Sequence, residues 1–504
     1  MRKVLSKYSL EIKALPIFLV LYLFTRLFRI MSLPLFTDEA IYTRWSQIAR
    51  HDAAWRMISL TDGKQPSFIW AQMILIRFLD DPLLAGRLVS VGAGLVVTVG
   101  MYFLARELFK NKIVGLIAAF LYILFPMGLV YDRMALYDSM VAAFCVWTLY
   151  FHILLFKKKR LDIALIHGMI LGGAVLTKTS GFLFIYMTPF LVLLTDFRKK
   201  LWKKELLRWA SLVFVSVIFA YGYYSILRLS PFFHIIGDKN AVFVYPIAEW
   251  LEHPTRFVMG NLSGMGDWAF GYLSLPIIVF ALFSFFIDRK KYIGEKILLF
   301  LWFFFPFLGL ATFGKVLYPR FIFFMLLPII ILASYGLYLT LLRFQKSWMR
   351  MLIIFIAIAV FVRADFYILT NFATAPIPKA DLYQYINGWP AGGGVNEIIR
   401  ILSDEAKKGK IYVATEGTFG SLPTYAVEIY LWDNNNVEKE GIYPLPKTLP
   451  NNLFKKAMEM PTYFILNESY SPPALWPLEE IGVFQKGVGD HYMRLYKVSP
   501  RNET

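Results

Sequence analysis

Long apolar runs separated by short polar segments make up most of the first 370 residues of this chain. Eleven of the runs have about 17 to 25 residues, which is enough for a helix to cross a hydrocarbon core of about 30 Å. They lie at about 14–32, 83–105, 113–130, 137–156, 161–177, 180–196, 206–228, 268–287, 295–313, 319–342 and 349–369. The pattern predicts a polytopic α-helical membrane protein with about eleven transmembrane helices.

The polar segments between the runs alternate in charge. Six of them hold 24 Lys and Arg but only 5 Asp and Glu, and these are residues 1–13, 106–112, 157–160, 197–208, 288–296 and 343–350. Basic segments stay on the cytoplasmic side of a membrane. A cytoplasmic N-terminus and an odd number of spans then place the residues after 370 outside. We therefore expect an integral plasma-membrane protein whose other polar segments face the extracytoplasmic side.

Composition supports this assignment and excludes other classes of protein. Hydrophobic residues make up 58% of the chain and charged residues 17%, with a mean hydropathy of +0.53. About a quarter of the residues in a soluble domain are charged. The net charge of +18 lies mainly in the basic segments, so it predicts contact with lipid headgroups and no nucleic-acid partner. Cys145 is the single cysteine, which excludes a disulfide within the chain.

The pattern changes after residue 370. Residues 396–409 have the spacing of an amphipathic helix, and the segments KIYVAT, TYFILN and HYMRLYKV have that of strands. Alternating helix and strand predicts an extracytoplasmic α/β domain over 371–504, following a transmembrane domain over 1–370. Residues 392–394 are three glycines, and we interpret them as a turn because they lack the Lys-Ser/Thr of a phosphate-binding loop.

The first outer segment begins with Asp38 and Glu39, directly after the first apolar run. Apolar residues at helical spacing predict a helix lying in the membrane interface over 38–55, and a second is predicted at 66–79. Asp38, or Thr37 before it, could serve only to cap the first of these helices. Alternatively, a carboxylate at the membrane surface could act as a general base or a metal ligand. The residues alone leave both interpretations open.

Further charged residues lie in later outer segments. Asp132 and Arg133 could form a surface ion pair of little energetic value, whereas Asp138 begins a span and is costly there without a role. His253 and Arg256 lie in the fourth outer segment. A lone histidine is more often structural than a ligand, so these two are weaker candidates.

Four cationic side chains share the predicted outer face: Lys64, Lys178, Lys315 and Arg320. Each could extend its side chain out of the membrane to reach water, a behaviour that needs no ligand. Several cations on one face favour an anionic ligand, because charge-assisted hydrogen bonds to phosphate are strong. We therefore expect a phosphate group to bind among them.

Together these segments resemble the GT-C membrane glycosyltransferases, in particular protein O-mannosyltransferases and the bacterial aminoarabinose transferases that modify lipid A. The matching segments span residues 10–370 and occur in order on the predicted outer face. They are FTDEAIY at 36–42, GKQPSF at 63–68, RMALYD at 133–138, GGAVLTKTSG at 172–181, and Arg320-Phe321 with Pro328.

The resemblance implies a polyprenyl-phosphate sugar donor and a lipid, glycan or protein acceptor. It implies catalytic roles for Asp38, its neighbour Glu39, and Asp138 as the second acidic position. Lys64 and Lys178 would hold the lipid phosphate, and Arg320 would assist them.

The resemblance leaves the metal requirement undecided. In the aminoarabinose branch, a Glu before the motif lysine and a His in a later loop bind metal. Here Gly63 precedes that lysine, although His253 is present. No cofactor is therefore assigned, and a requirement for a divalent metal ion is left as an open alternative.

Two other classes of function remain as alternatives. A transporter or flippase of lipid-linked sugars would carry ionisable residues near the bilayer midplane, whereas here the charges crowd the outer ends of the spans. A non-catalytic subunit that binds lipid-linked sugars would differ from the enzyme only in lacking turnover.

Overall fold

The computed structural model describes residues 9–418, 420–467 and 472–499, so residues 1–8 of the first basic segment lie outside it. Within the described residues, eight helices are long and apolar enough to cross a membrane: Leu10–Ser32, Pro82–Phe109, Asp138–Lys158, Trp202–Leu229, Val258–Ile287, Ile293–Phe313, Pro319–Arg343 and Ser347–Thr370. Three shorter apolar helices are Lys112–Ile123, Leu161–Thr177 and Thr179–Leu194. Each predicted span coincides with one of these helices, while the number that cross a membrane stays a prediction.

Sixteen α-helices lie in the described part of the first 370 residues. In chain order they are α1 Ser9–Leu27, α2 Thr37–His51, α3 Ser67–Leu75, α4 Pro82–Phe109, α5 Lys112–Ile123, α6 Pro126–Tyr131, α7 Asp138–Lys158, α8 Leu161–Thr177, α9 Phe182–Tyr186, α10 Trp202–Ser225, α11 Ile235–Phe243, α12 Ile247–Glu252, α13 Val258–Ile287, α14 Ile293–Phe313, α15 Phe323–Arg343 and α16 Ser347–Thr370. Short 3₁₀ turns precede or follow several of them, including Ile58–Asp62, Thr188–Leu194 and Pro319–Ile322.

Helix α15 forms the centre of the bundle. It packs against α13, α14, α7 and α5, and most of its residues are buried. Its approach to α13 is so close that a Cβ at Gly336 would collide with the carbonyl oxygen of Phe280. Because α15 is held on all sides, the Pro319–Ile322 turn that begins it has a fixed position at one end of the bundle.

Helices occur at both predicted interfacial positions in the first outer segment. Helix α2 buries Ile41, Trp45 and Ala49, three of the residues whose spacing indicates one apolar face. This face packs against α3 and α4, and α2 also contacts a helix of the C-terminal region. The first turn of α2 is thereby clamped between the bundle and the C-terminal residues.

The C-terminal residues form a mixed five-stranded sheet with helices. Its helices are α17 Lys379–Leu382, α18 Val395–Lys408, α19 Leu422–Leu431 and α20 Asn451–Glu459. Its strands are β3 Ile411–Glu416, β4 Val437–Ile442, β5 Thr462–Leu466, β6 Leu478–Gln485 and β7 Tyr492–Val498, in the order β4-β3-β5-β7-β6. The pairs β3–β4 and β3–β5 are parallel, and the pairs with β7 are antiparallel. A helical bundle followed by an α/β unit confirms the predicted fold class.

A short ladder joins the two parts of the chain. Strand β1, Leu35–Phe36, pairs antiparallel with β2, Ala391–Gly392. The predicted domain boundary near residue 370 therefore stays a prediction, because residues after it complete structure that begins before α2.

Buried ion pairs fix the ends of the helices. The Arg87 guanidinium of α4 donates to both Glu39 carboxylate oxygens at 2.9 Å and to the carbonyl oxygens of Ile30 and Leu33 at 2.7 and 3.1 Å. Both side chains are fully buried. Because every one of these groups would be costly to bury alone, they hold the connection between α1 and α2 in one conformation.

We predict that Arg87→Leu destabilises the protein by about 3–5 kcal/mol, the usual cost of leaving one partner of a buried ion pair uncompensated. A lower thermal unfolding temperature of the purified protein in detergent would record the loss. Arg77→Leu is the matched control, because Arg77 is exposed. Equal unfolding temperatures in the two variants would contradict this role for Arg87.

Candidate active site

A cavity of about 910 Å³ opens at the end of the bundle where α2 and the Pro319–Ile322 turn meet. Four cations and three carboxylates line it: Lys64, Lys178, Lys239, Arg320, Asp38, Asp62 and Asp138. The rest of the lining is largely apolar and aromatic. Residues 305–313 of α14 form one wall, which extends about 12 Å along the helix, and residues 182–186 contribute on another side. The cavity thus combines a charged cluster with an apolar channel.

The Asp38 side chain lines this cavity because its neighbour Glu39, and not Asp38, caps the start of helix α2. The backbone N–H of Phe36 donates to the Glu39 carboxylate at 3.1 Å, so the cap predicted for Thr37 or Asp38 is made by Glu39 instead. The Asp38 carboxylate lies 2.9 Å from the Arg320 guanidinium and 3.6 Å from the Lys64 ammonium. Burial alone would raise the pKa of Asp38, but the charges of Lys64 and Arg320 outweigh it and hold that pKa below its ordinary value.

Arg320 has donor capacity that the protein does not use. Its Nη2 contacts Asp38, and its guanidinium lies over the rings of Phe36 and Tyr318 at 5.4 and 4.9 Å. Its Nη1 is buried and has no hydrogen-bond partner within the described residues. A buried donor without an acceptor is unfavourable, so this nitrogen is available to donate to a group that enters the cavity.

Lys64 belongs to a chain of ion pairs that the sequence interpretation missed in part. Asp62 lies 3.4 Å from the Lys64 ammonium and 2.5 Å from that of Lys239. The Lys64 ammonium also lies 4.8 Å from the centre of the Tyr42 ring. Asp62 and Lys239 were not among the sequence candidates. They lie 177 positions apart, so their pairing gives no local signal in the sequence.

Asp138 and Lys178 form a second pair on the cavity wall. Asp138 occupies the first turn of α7, and its carboxylate accepts a hydrogen bond from Lys178 at 2.9 Å. Lys178 follows the end of α8, and its ammonium also lies 4.7 Å from the Phe321 ring centre. The structure therefore brings together Asp38, Asp138 and all three predicted phosphate-binding residues.

Other sequence candidates lie elsewhere. The Glu39 carboxylate is fully buried, and its acceptor positions are taken by Arg87 and by the backbone N–H groups of Phe36 and Ala135. It does not line the cavity. Its placement supports an anchoring role for Glu39 in place of the catalytic one.

Asp132 and Arg133 are buried in the bundle behind the cavity wall. Asp132 pairs with Arg26 at 3.3 Å and accepts a hydrogen bond from Ser139 at 2.8 Å. Arg133 donates to the carbonyl oxygen of Phe28 at 2.9 Å. Both side chains are wholly inaccessible to solvent, so the surface ion pair that we considered for them is wrong, and neither lines the cavity.

The remaining outer candidates are at the surface. His253 and Arg256 follow α12, are exposed, and lie outside the cavity lining. Lys315 pairs with Glu249 at 3.2 Å, also outside the lining. These three residues therefore do not join the charged cluster.

The charged cluster does not fit a metal ion. No group of three or more His, Cys, Asp and Glu in the described part of the chain could hold one. Each of the three cavity carboxylates is instead paired with a Lys or Arg. Cations already occupy the positions near these carboxylates that a metal would need, so we assign no metal role to them.

A segment that follows helix α16 packs against residues that position the charged cluster. We call residues 379–392 the strap. Its Asp381 is fully buried and accepts hydrogen bonds from the hydroxyls of Tyr131, at 2.7 Å, and Tyr272. Burial raises the pKa of Asp381 to about 6, although the two tyrosine hydrogen bonds act against that rise.

The strap also contacts the residues next to Asp38. The carbonyl oxygen of Pro390 accepts hydrogen bonds from the backbone N–H and hydroxyl of Thr37 at 3.1 and 2.9 Å. The Tyr385 ring packs edge-on against Phe36, with centroids 4.9 Å apart. Because Phe36 in turn lies under Arg320, the strap fixes both members of the Asp38–Arg320 pair. No local pattern could predict these contacts, because they join residues more than 300 positions apart.

Comparisons with known proteins agree with this architecture. Residues 64–224 match the family model of dolichyl-phosphate-mannose-protein mannosyltransferase. The crystal structure of ArnT from Cupriavidus metallidurans bound to undecaprenyl phosphate is similar over 97% of this chain and 98% of its own, with a TM-score of 0.58 and 14% identity. No curated protein sequence matches significantly.

A second solved structure has the same arrangement. The archaeal oligosaccharyltransferase AglB from Archaeoglobus fulgidus, in complex with an inhibitory peptide and a dolichol-phosphate, is similar over 92% of this chain and 69% of its own, with a TM-score of 0.57 and 13% identity. This chain has the fold of the GT-C membrane glycosyltransferases. The predicted resemblance is thereby confirmed.

We predict that Tyr131→Phe combined with Tyr272→Phe loosens the strap. The Asp381 carboxylate would stay buried without its two donors, at a cost of about 1.5–3 kcal/mol for each lost hydrogen bond to a charged group. Backbone hydrogen exchange of residues 379–392, followed by mass spectrometry, should accelerate relative to wild type. Adding Asp381→Asn should slow it again, because the amide is neutral.

Tyr221→Phe is the control, since Tyr221 is largely exposed on α10. If the double variant exchanged like wild type, the two tyrosines would not hold the strap.

Proposed function

We propose that this protein transfers a sugar from a polyprenyl-phosphate donor to a lipid, glycan or protein acceptor on the outer face of the membrane. The observation that carries the proposal is the charged cluster. Its four cations are paired with three carboxylates, Arg320 Nη1 has no acceptor within the described residues, and the cluster opens onto a channel lined with aromatic side chains. A group with an anionic head and a long apolar tail matches both parts of the cavity.

The donor phosphate would bind among Lys64, Lys178, Lys239 and Arg320. Their ion pairs with carboxylates keep these side chains ordered before the donor arrives, so little conformational entropy is lost on binding. The lining carries one positive charge more than it has carboxylates, and the single negative charge of the donor phosphodiester neutralises this excess. The prenyl chain would follow the wall formed by residues 305–313 of α14.

During transfer, the bond between the anomeric carbon and the phosphate oxygen breaks, and the lipid phosphate leaves with the electron pair. A new bond forms from the acceptor oxygen to the anomeric carbon, and the acceptor loses its proton. Lysine and arginine side chains stabilise the charge that develops on the leaving phosphate. These groups lower the barrier without a nucleotide-binding domain.

Asp38 would accept the acceptor's proton. Its lowered pKa keeps it ionised at neutral pH and makes it a weak base. A weak base is sufficient when the leaving group departs early and the acceptor's proton is lost late. Asp138 would hold Lys178 toward the phosphate through their 2.9 Å hydrogen bond.

The lipids in the structures of similar proteins support the donor class. The ArnT structure has undecaprenyl phosphate bound, and the AglB structure is a complex with an inhibitory peptide and a dolichol-phosphate. We extend the lipid-phosphate requirement to this chain and leave its sugar, a hexose or a pentose, and its acceptor unassigned. The six basic segments support a cytoplasmic N-terminus and an extracytoplasmic cavity.

Incubating the purified protein with radiolabelled polyprenyl-phosphate sugars and candidate acceptors tests the proposal. Label should move from the lipid phosphate to an acceptor. A flippase would instead move intact donor between leaflets of a liposome without breaking the sugar–phosphate bond, and that result would replace the proposal.

We predict that Asp38→Asn abolishes sugar transfer while donor affinity stays within about threefold of wild type, because the amide cannot accept the acceptor's proton. Initial rates and donor titrations with the same preparation measure both quantities. Asp80→Asn serves as the control, since Asp80 is exposed. Wild-type rates in Asp38→Asn would remove Asp38 from the mechanism.

We predict that Lys64→Gln and Lys178→Gln each weaken binding of a short-chain polyprenyl phosphate by about 1.5–3 kcal/mol, the range for a hydrogen bond to a charged group. Lysines that only extend to water would show no such loss. Lys315→Gln is the matched control, because Lys315 lies outside the cavity. Unchanged affinity in both cavity variants would refute the phosphate site.

A further inference from the structure

A second, smaller cavity of about 210 Å³ lies at the opposite, basic end of the bundle. It forms where α7 ends, where the Thr188–Leu194 turn ends and where α10 begins. Three lysines line it, Lys157, Lys159 and Lys199, together with Trp202 and Thr195. Glycosyl transfer makes no use of these residues, since they belong to segments that the alternation of charge places on the cytoplasmic side.

The polar groups of this cavity are incompletely satisfied. Lys157 and Lys159 each have a carboxylate nearby, Glu107 at 2.9 Å and Glu205 at 3.4 Å. The Lys199 side chain is exposed and has no ion pair in the described part of the chain, whereas the buried hydroxyl of Thr195 has no hydrogen-bond partner there. A buried hydroxyl without a partner, in a cavity that lysines line, favours an anion with several acceptor oxygens.

Three carboxylates moderate this charge. Asp196 and Glu205 line the cavity with the three lysines, and Glu107 pairs with Lys157 from outside the lining. Asp196 accepts a hydrogen bond from the backbone N–H of Arg198 and so is engaged by its own turn. The surrounding segment adds further positive charge over 198–204, which raises the local concentration of anions.

The surface around the cavity is suited to lipid. Phe197, Leu201 and Leu207 are 55%, 60% and 72% exposed. Large apolar side chains alternate there with lysines, which is typical of a segment that lies in the interface of an anionic membrane. A free anion would not need these apolar side chains.

We propose that this cavity binds the phosphate headgroup of an anionic phospholipid, with Lys159, Lys199 and Thr195 contacting the phosphate and the acyl chains lying along the exposed apolar residues. The site is independent of sugar transfer. It gives the basic end of the bundle a defined lipid ligand in addition to the diffuse attraction of its surface charge.

Native mass spectrometry of the purified protein, titrated with dioctanoyl phosphatidylglycerol, tests this proposal. Lys159→Gln with Lys199→Gln should weaken binding by about tenfold or more, because two charge-assisted hydrogen bonds are lost. Lys110→Gln with Lys200→Gln is the matched control. It removes the same charge from the same end of the bundle, and Lys110 has the left-handed backbone conformation of Lys159, φ 52° against 49°. The control pair should bind within about twofold of wild type.

Three results would overturn the proposal. Equal loss in both pairs would indicate general surface attraction. Inorganic phosphate binding as tightly as phosphatidylglycerol would indicate a free-anion site. Equal binding of dioctanoyl phosphatidylcholine would show that the headgroup charge is not recognised. Thermal unfolding of each variant verifies that it is folded.

Discussion

The anchoring of Glu39 is the interaction on which the candidate active site depends. Its carboxylate joins Arg87 of α4, the backbone before α2 and the backbone of Ala135. Three parts of the chain are thereby fixed around one buried charge. Because Glu39 is committed to the protein interior, the adjacent Asp38 projects into the cavity, where Arg320 and Lys64 receive it. Of these two neighbouring acidic residues, Glu39 anchors the fold and Asp38 lines the cavity.

The ion pairs of the charged cluster offset the desolvation free energy of placing lysines in a largely apolar cavity. Each cation is paired with a carboxylate before ligand binds, so none is buried as an isolated charge. The same pairs make a metal ion unnecessary for charge balance. The strap adds rigidity, since it holds Thr37 and Phe36 through Pro390 and Tyr385. Residues beyond the last span therefore contribute directly to the position of the proposed base.

The sequence was sufficient for the helices and for much of the cluster. Apolar runs determine spans, and charges at the ends of spans are rare enough to single out Asp38, Asp138, Lys64, Lys178 and Arg320. The sequence does not show whether a charged side chain points into the cavity or into the protein interior. Glu39 and Asp132 therefore could not be distinguished from residues that line the cavity. Asp381 and Lys239 depend on contacts between distant segments. Strands β4 and β6 went unpredicted because edge strands carry charged residues that hide the alternation of a strand.

The central claim is that a lipid phosphate lies in the charged cluster with its prenyl chain along α14. A polyprenyl phosphate bearing a photoactivatable diazirine in its first isoprene units measures this directly. After irradiation, mass spectrometry should find the label on residues 305–313 of α14 and on residues 182–186, and unlabelled polyprenyl phosphate should suppress it. Labelling confined to lipid-facing residues of α1 or α16, unaffected by the competitor, would contradict the account.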